Sequence, residues 1–179
     1  MIRTFIAVDF PAALTKKVAE LQQHFSNYGV KVVKPEQVHI TLKFLGDIEE
    51  AQIKPISDAL QNVHVSPFEA EVRGVGVFPS LRHINVIWVG AEGDFDHLHT
   101  AVEEALQPLG FKRDNRFAAH ATIARVKHLP MDQKGQLVST IKDLSDVEVG
   151  TMKVDHIILK KSTLTPKGPI YEALHEVRL

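Results

Sequence analysis

No cysteine occurs among the 179 residues. That absence excludes a disulfide framework, a cysteine zinc site, an iron–sulfur cluster and a thiolate nucleophile. It fits the reducing cytoplasm, where the protein is expected to work. No run of 18 apolar residues exists, so neither a membrane-spanning helix nor a membrane partner is expected. The opening MIRTFIAVDFPAALTKK lacks a long apolar stretch and carries Asp9 early, so it reads as a strand and a turn, not a signal peptide. Excess charge is also missing. Lys and Arg number 21 against 22 Asp and Glu, net −1, so any nucleic-acid contact must be local. What remains is ordinary for a globular chain, 44% hydrophobic and 24% charged, which excludes disorder and low complexity. One domain over residues 1–179 is expected, burying about 70% of the unfolded chain's surface.

Short β-rich runs and helical periodicities alternate along the chain. Residues 2–8 read as a strand. Pro11 opens a helix bearing Leu14, Val18, Leu21 and Phe25. Residues 38–45 read as a strand, and Ile53, Ile56, Leu60 and Val63 as a helix whose first turn holds Pro55. Strands over 69–78 and 84–90 are joined by Pro79-Ser80, with Trp88, Val86 and Ile84 expected in the sheet core. Asp94 is expected to cap a helix with Phe95, Leu98, Val102, Leu106 and Leu109 on one stripe. A strand at 117–127 and a helix at 132–143 follow. Strands at 152–160 and 170–178, joined by TPKGP, close the chain. Consecutive strands without intervening helices imply antiparallel pairing, hence an α+β fold.

Two segments repeat each other: His39-Ile40-Thr41-Leu42 and His120-Ala121-Thr122-Ile123. In a strand, residues two apart leave the same face, so each His points with its Thr while the aliphatics pack behind. Two such strands side by side would offer two imidazoles and two hydroxyls to one cavity. Phosphodiester cleavage without a metal needs that set. One neutral imidazole deprotonates water, a protonated one supplies the leaving oxygen, and the hydroxyls hold the non-bridging oxygens. One His-x-Thr among ten histidines is an easy coincidence. Two, both in strands and both followed by an aliphatic residue, are much rarer.

Residues 112–128 carry Lys112, Arg113, Arg116, Arg125 and Lys127 against Asp114 alone, a local patch suited to phosphate. The planar fork of Arg125 makes it the sharpest candidate. His97-x-His99 resembles a metal pair, but residues two apart on a helix do not share a face, so a surface pair without function is expected. Gly74 and Gly76 open no helix, which removes a dinucleotide reading. Ser162, Thr163 and Lys167 suit either a phosphate contact or a turn, and the turn is the preferred reading. No cofactor is expected.

HITLKFLG at 39–46 and HATIAR at 120–125 resemble the paired signatures of the 2H phosphoesterase superfamily. RTFIAVDF, GVGVFPS at 74–80 and LKKSTLTPKGPIYEAL at 159–174 make the chain similar to the RNA 2′,3′-cyclic phosphodiesterases, also called 2′-5′ RNA ligase-like proteins. The resemblance implies a bilobal fold, two antiparallel sheets with outer helices around a central cleft, related by a pseudo-twofold axis. It implies His39 as general acid on the leaving 3′ oxygen and His120 as general base, with Thr41 and Thr122 beside them. Arg125 matches a phosphate-holding arginine, and Phe44 an aromatic that stacks on the terminal base. Strand parity, however, puts Phe44 opposite His39 unless the strand bends near Leu45-Gly46. Ala119, Ala121 and Ile123 stand where the family carries proline and larger aliphatics, off the His/Thr face, and Val32 and Val33 replace an upstream aromatic. The implied substrate is RNA with a 2′,3′-cyclic phosphate end, tRNA fragments included, opened to a 2′-phosphate by a monomer. Binding of GTP or ATP is left open. The alternatives are a 2′-5′ ligase and a non-catalytic RNA-end or nucleotide-binding module.

Overall fold

Thr4 to Val8 are buried on both faces, as suits a strand covered on each side. This is β1 (Ile2–Asp9) in the computed structural model, which describes all 179 residues. The chain continues through α1 (Ala12–Gln22), β2 (Val30–Val32), β3 (His39–Ile48), α2 (Ile53–Leu60), β4 (Phe68–Ser80) and β5 (His83–Glu92). It ends with α3 (Phe95–Leu106), β6 (His120–Val126), α4 (Met131–Asp143), β7 (Glu148–Val154), β8 (His156–Thr165) and β9 (Gly168–Arg178).

All pairings are antiparallel, in the order β7-β4-β5-β6-β3-β1-β8-β9, with β2 on the side of β6. The two expected sheets are thus two halves of one, meeting between β3 and β6. Only Asp155 separates β7 from β8, although they stand near opposite ends of the order. A one-residue link across that separation forces the sheet to curl. Helices α2 and α3 pack on the β3/β9 half, and α1 and α4 on the β4/β7 half. Leu14, Val18, Leu21 and Phe25 of the first helical segment join a single core of 36 buried residues.

Several element expectations need correction. The first hairpin turns at Leu81-Arg82, with Pro79 and Ser80 still in β4. The expected strand 152–160 is two strands broken at Asp155, and residues 117–119 precede β6. β2 escaped notice because three residues carry too little pattern. Asp94 starts α3 through its backbone carbonyl, which accepts from Leu98 N–H, while its carboxylate takes His97 Nδ1 at 3.0 Å. Leu109 falls in a 3₁₀ turn after α3 and is exposed.

One buried ion pair ties β3 to α3. Lys43 Nζ donates to both Glu103 oxygens, at 2.7 and 2.8 Å, and to the Lys112 carbonyl at 2.8 Å. Removing one partner leaves the other charge buried alone, so Glu103→Ala should cost about 3–5 kcal/mol. Urea unfolding will read this as a lower midpoint at unchanged slope. Combining Lys43→Met with Glu103→Leu should recover part of the loss.

Candidate active site

β3 and β6 touch through a single ladder pair, Ile40 opposite Ala121. Antiparallel register about that pair sets Thr122 beside His39 and His120 beside Thr41. Ile40, Leu42, Ala121 and Ile123 are buried in the core. The alternate residues His39, Thr41, His120 and Thr122 are half-buried and line a cleft of about 530 Å³. The histidines are diagonal to each other, a relation that sets residues roughly 7–8 Å apart in a regular ladder. That spacing leaves room for a phosphate between the imidazoles.

Each motif strand then carries one extra residue at the same place. Against β1, Ala7 faces Thr41 and Ile6 faces Lys43, so Leu42 is skipped. Against β5, Trp88 faces Thr122 and Ile87 faces Ala124, so Ile123 is skipped. A bulge reverses the alternation beyond it. The fifth residue after each histidine therefore rejoins the histidine's face: Phe44 in one half, Arg125 in the other. Both line the cleft, and Phe44 is 76% exposed. Simple parity had put Phe44 on the opposite face. The chain shifts at Leu42, ahead of the Leu45-Gly46 bend that parity required, and Leu45 is skipped in turn. A further shift corrects Trp88. β5 skips Asn85 against β4, so Ile84 is buried while Trp88 turns toward His120, ring centroids 6.0 Å apart.

The two rings are oriented alike. His39 Nδ1 donates to the Gln37 carbonyl at 2.7 Å, and His120 Nδ1 to the Ala118 carbonyl at 2.6 Å. Each bond reaches two residues back and frees Nε2 for chemistry. Their surroundings differ. Phe5 stacks on His39 at 4.9 Å and Tyr171 meets it edge-on at 5.1 Å, whereas Phe78 meets His120 edge-on at 4.9 Å. Burial pushes the His39 pKa below its ordinary 6.5. The Gln37 carbonyl and Asp9 oppose that, and Lys160 and Arg125 reinforce it. Lys160 Nζ donates to both Asp9 oxygens at 2.6 and 2.7 Å, and Asp9 faces His39 in the β1–β3 ladder. Burial raises the Tyr171 phenol. Phe5, Asp9, Lys160, Tyr171 and Phe78 lie in the segments that carry the family resemblance, but no local pattern links them to either motif, so sequence alone assigns them no place in the site.

Of the basic segment, Arg116, Arg125 and Lys127 line the cleft. Arg113 instead faces Glu104 at 3.7 Å, and Lys112 supplies its carbonyl to Lys43. Lys167 lies in the turn between β8 and β9, but Ser162 and Thr163, read as turn residues, are in β8, which runs on to Thr165. Ser162 and Lys167 line the cleft. His97 and His99 are not a surface pair. His97 is exposed, but His99 is buried, stacked on Phe117 at 4.3 Å and 3.3 Å from Glu103.

The sequence matches the family described as LigT like Phosphoesterase over residues 6–88 and again over 90–171. It is 38% identical to the RNA 2′,3′-cyclic phosphodiesterase of Methanocaldococcus jannaschii, covering 98% of this chain and 99% of that protein. To that of Archaeoglobus fulgidus it is 39% identical, covering 97% and 98%. A crystal structure from Thermus thermophilus superposes with a TM-score of 0.83 at 29% identity, covering 99% and 98% of the two chains. E. coli LigT complexed with 3′-AMP shares the fold, with a TM-score of 0.78 at 21% identity and coverage of 99% and 98%.

The electrostatics of His39 give a testable outcome. In the free protein its imidazole should titrate below 6.5, and it should titrate higher once 2′-AMP is bound, because the phosphate charge offsets Lys160 and Arg125. Linkage then requires 2′-AMP to bind more tightly as pH falls through that range. Long-range ¹H–¹⁵N NMR follows the titration directly, and an unmoved His39 would contradict this account.

Proposed function

The chain belongs to the LigT-like phosphoesterase family, is a cyclic phosphodiesterase acting on RNA, and, we propose, works through His39 and His120 as acid and base. His120 Nε2 takes a proton from water, and the water oxygen attacks phosphorus. The bond from phosphorus to the 3′ oxygen breaks, and that oxygen takes the proton carried on His39 Nε2. The products are a 2′-phosphate and a free 3′-hydroxyl. Thr41 and Thr122 donate to the non-bridging oxygens, Arg125 holds their charge, and Phe44 stacks on the terminal base. The single observation that carries this reading is the diagonal arrangement of two His/Thr pairs about Ile40 and Ala121.

In the free protein, burial, Lys160 and Arg125 oppose the charge on His39, against the Gln37 carbonyl and Asp9, with a net lowering of its pKa. The cyclic phosphate supplies the compensating negative charge, so substrate itself loads the acid. tRNA fragments bearing such ends are natural substrates on this reading. One chain supplies both halves of the site, so a monomer suffices, acting in the cytoplasm as a single domain over 1–179.

His39→Ala and His120→Ala should each lower the rate on the order of 10²–10⁴-fold, the range for a lost acid or base. Thr41→Val or Thr122→Val should cost less. ³¹P NMR of a digested cyclic-phosphate oligonucleotide should locate the product phosphate on the 2′ oxygen. A 3′-phosphate would reverse the assignment of acid and base.

Neither histidine is joined by further ligands, for no group of three or more His, Asp or Glu side chains is arranged to hold a metal ion. Turnover should therefore survive EDTA. Loss on chelation, restored by a divalent ion, would defeat this mechanism.

A further inference from the structure

Six cations line the cleft without an ion-pair partner: Lys31, Lys34, Arg116, Arg125, Lys127 and Lys167. Yet the chain holds 22 acidic residues. Asp114 is the sole acidic residue of the lining, and one of its oxygens accepts from the Arg116 backbone N–H at 3.0 Å. Unpaired like charges gathered in one cleft repel one another, and a bound polyanion relieves that repulsion.

The arrangement has a direction. Lys31 lies directly across the β2–β6 ladder from Arg125, a like-charge pairing that destabilises the ladder. Lys31 Nζ donates to the Lys167 carbonyl at 3.2 Å, which draws the β8–β9 turn against β2. Arg125, Lys31 and Lys167 thus form a continuous cationic track. It starts at the residue assigned to the terminal phosphate and crosses from one half of the sheet to the other. One terminal phosphate offsets about one positive charge, which leaves Lys31 and Lys167 in surplus.

We propose that Lys31 and Lys167 form a second phosphate subsite, which receives the phosphodiester 5′ of the terminal nucleotide. The preferred substrate is then an RNA strand and not a nucleoside 2′,3′-cyclic phosphate. This rests on the reading of the cleft as the cyclic-phosphate site.

The test compares adenosine 2′,3′-cyclic phosphate with a trinucleotide ending in the same group, between about 50 and about 200 mM salt. The trinucleotide should have the higher kcat/KM at low salt. Its log kcat/KM should fall with log salt more steeply, by about 0.7 per added phosphate contact on a single strand. Lys31→Gln and Lys167→Gln should each remove much of the trinucleotide's advantage and flatten its salt dependence, with mononucleotide turnover unchanged. That unchanged turnover also reports an intact fold. Equal kcat/KM for both substrates, or equal losses on both in either variant, would overturn the subsite and leave the catalytic reading standing. Inertness of the wild-type protein toward both substrates would overturn the catalytic reading, and this subsite with it.

Discussion

The site depends on one ladder contact, Ile40 against Ala121, where two otherwise separate half-sheets meet. Both residues are fully buried, one large and one small, so the strands approach closely over the core. Everything on the other face inherits its position from that contact. Histidine sits beside threonine twice over, because antiparallel register reverses one motif relative to the other. Past the pair, Lys43 of β3 reaches the segment 111–119 that leads into β6 and holds it through the Lys112 carbonyl. That segment includes Ala118, whose carbonyl orients His120. An ion pair buried behind the first motif therefore supports the geometry of the second.

The repeat of His-x-Thr made the four central residues legible in the sequence. Alternation alone assigns their shared face, and burial of Ile40, Leu42, Ala121 and Ile123 agrees with it. Alternation failed three residues after each histidine. Leu42 and Ile123 are ordinary aliphatics, with none of the glycine or proline that marks a bulge in a sequence. Phe44 was consequently misplaced by parity, and Arg125 was picked for its charge without an account of how it reaches the cleft. Trp88 failed for the same reason, one skipped residue at Asn85. Contacts from distant strands were not legible at all. Tyr171 reaches His39 from β9, and Lys160 reaches Asp9 from β8, pairings that only the sheet order specifies.

A symmetric pair of motifs creates a difficulty that the surroundings resolve. Two equivalent histidines would share one protonation behaviour, whereas acid–base catalysis needs them to differ. The chain breaks the equivalence with residues outside the repeat. The fifth position is aromatic in one half and cationic in the other. Buried Lys160 and its half-buried partner Asp9 stand beside His39, and Phe5 covers its ring face. Arg125 also acts across the cleft on His39 and helps to lower its pKa. On the mechanism proposed above, an anion held by that arginine would offset the influence and couple substrate binding to the charge on the opposite histidine. The repeat supplies the geometry, and the departures from it make the two histidines unequal.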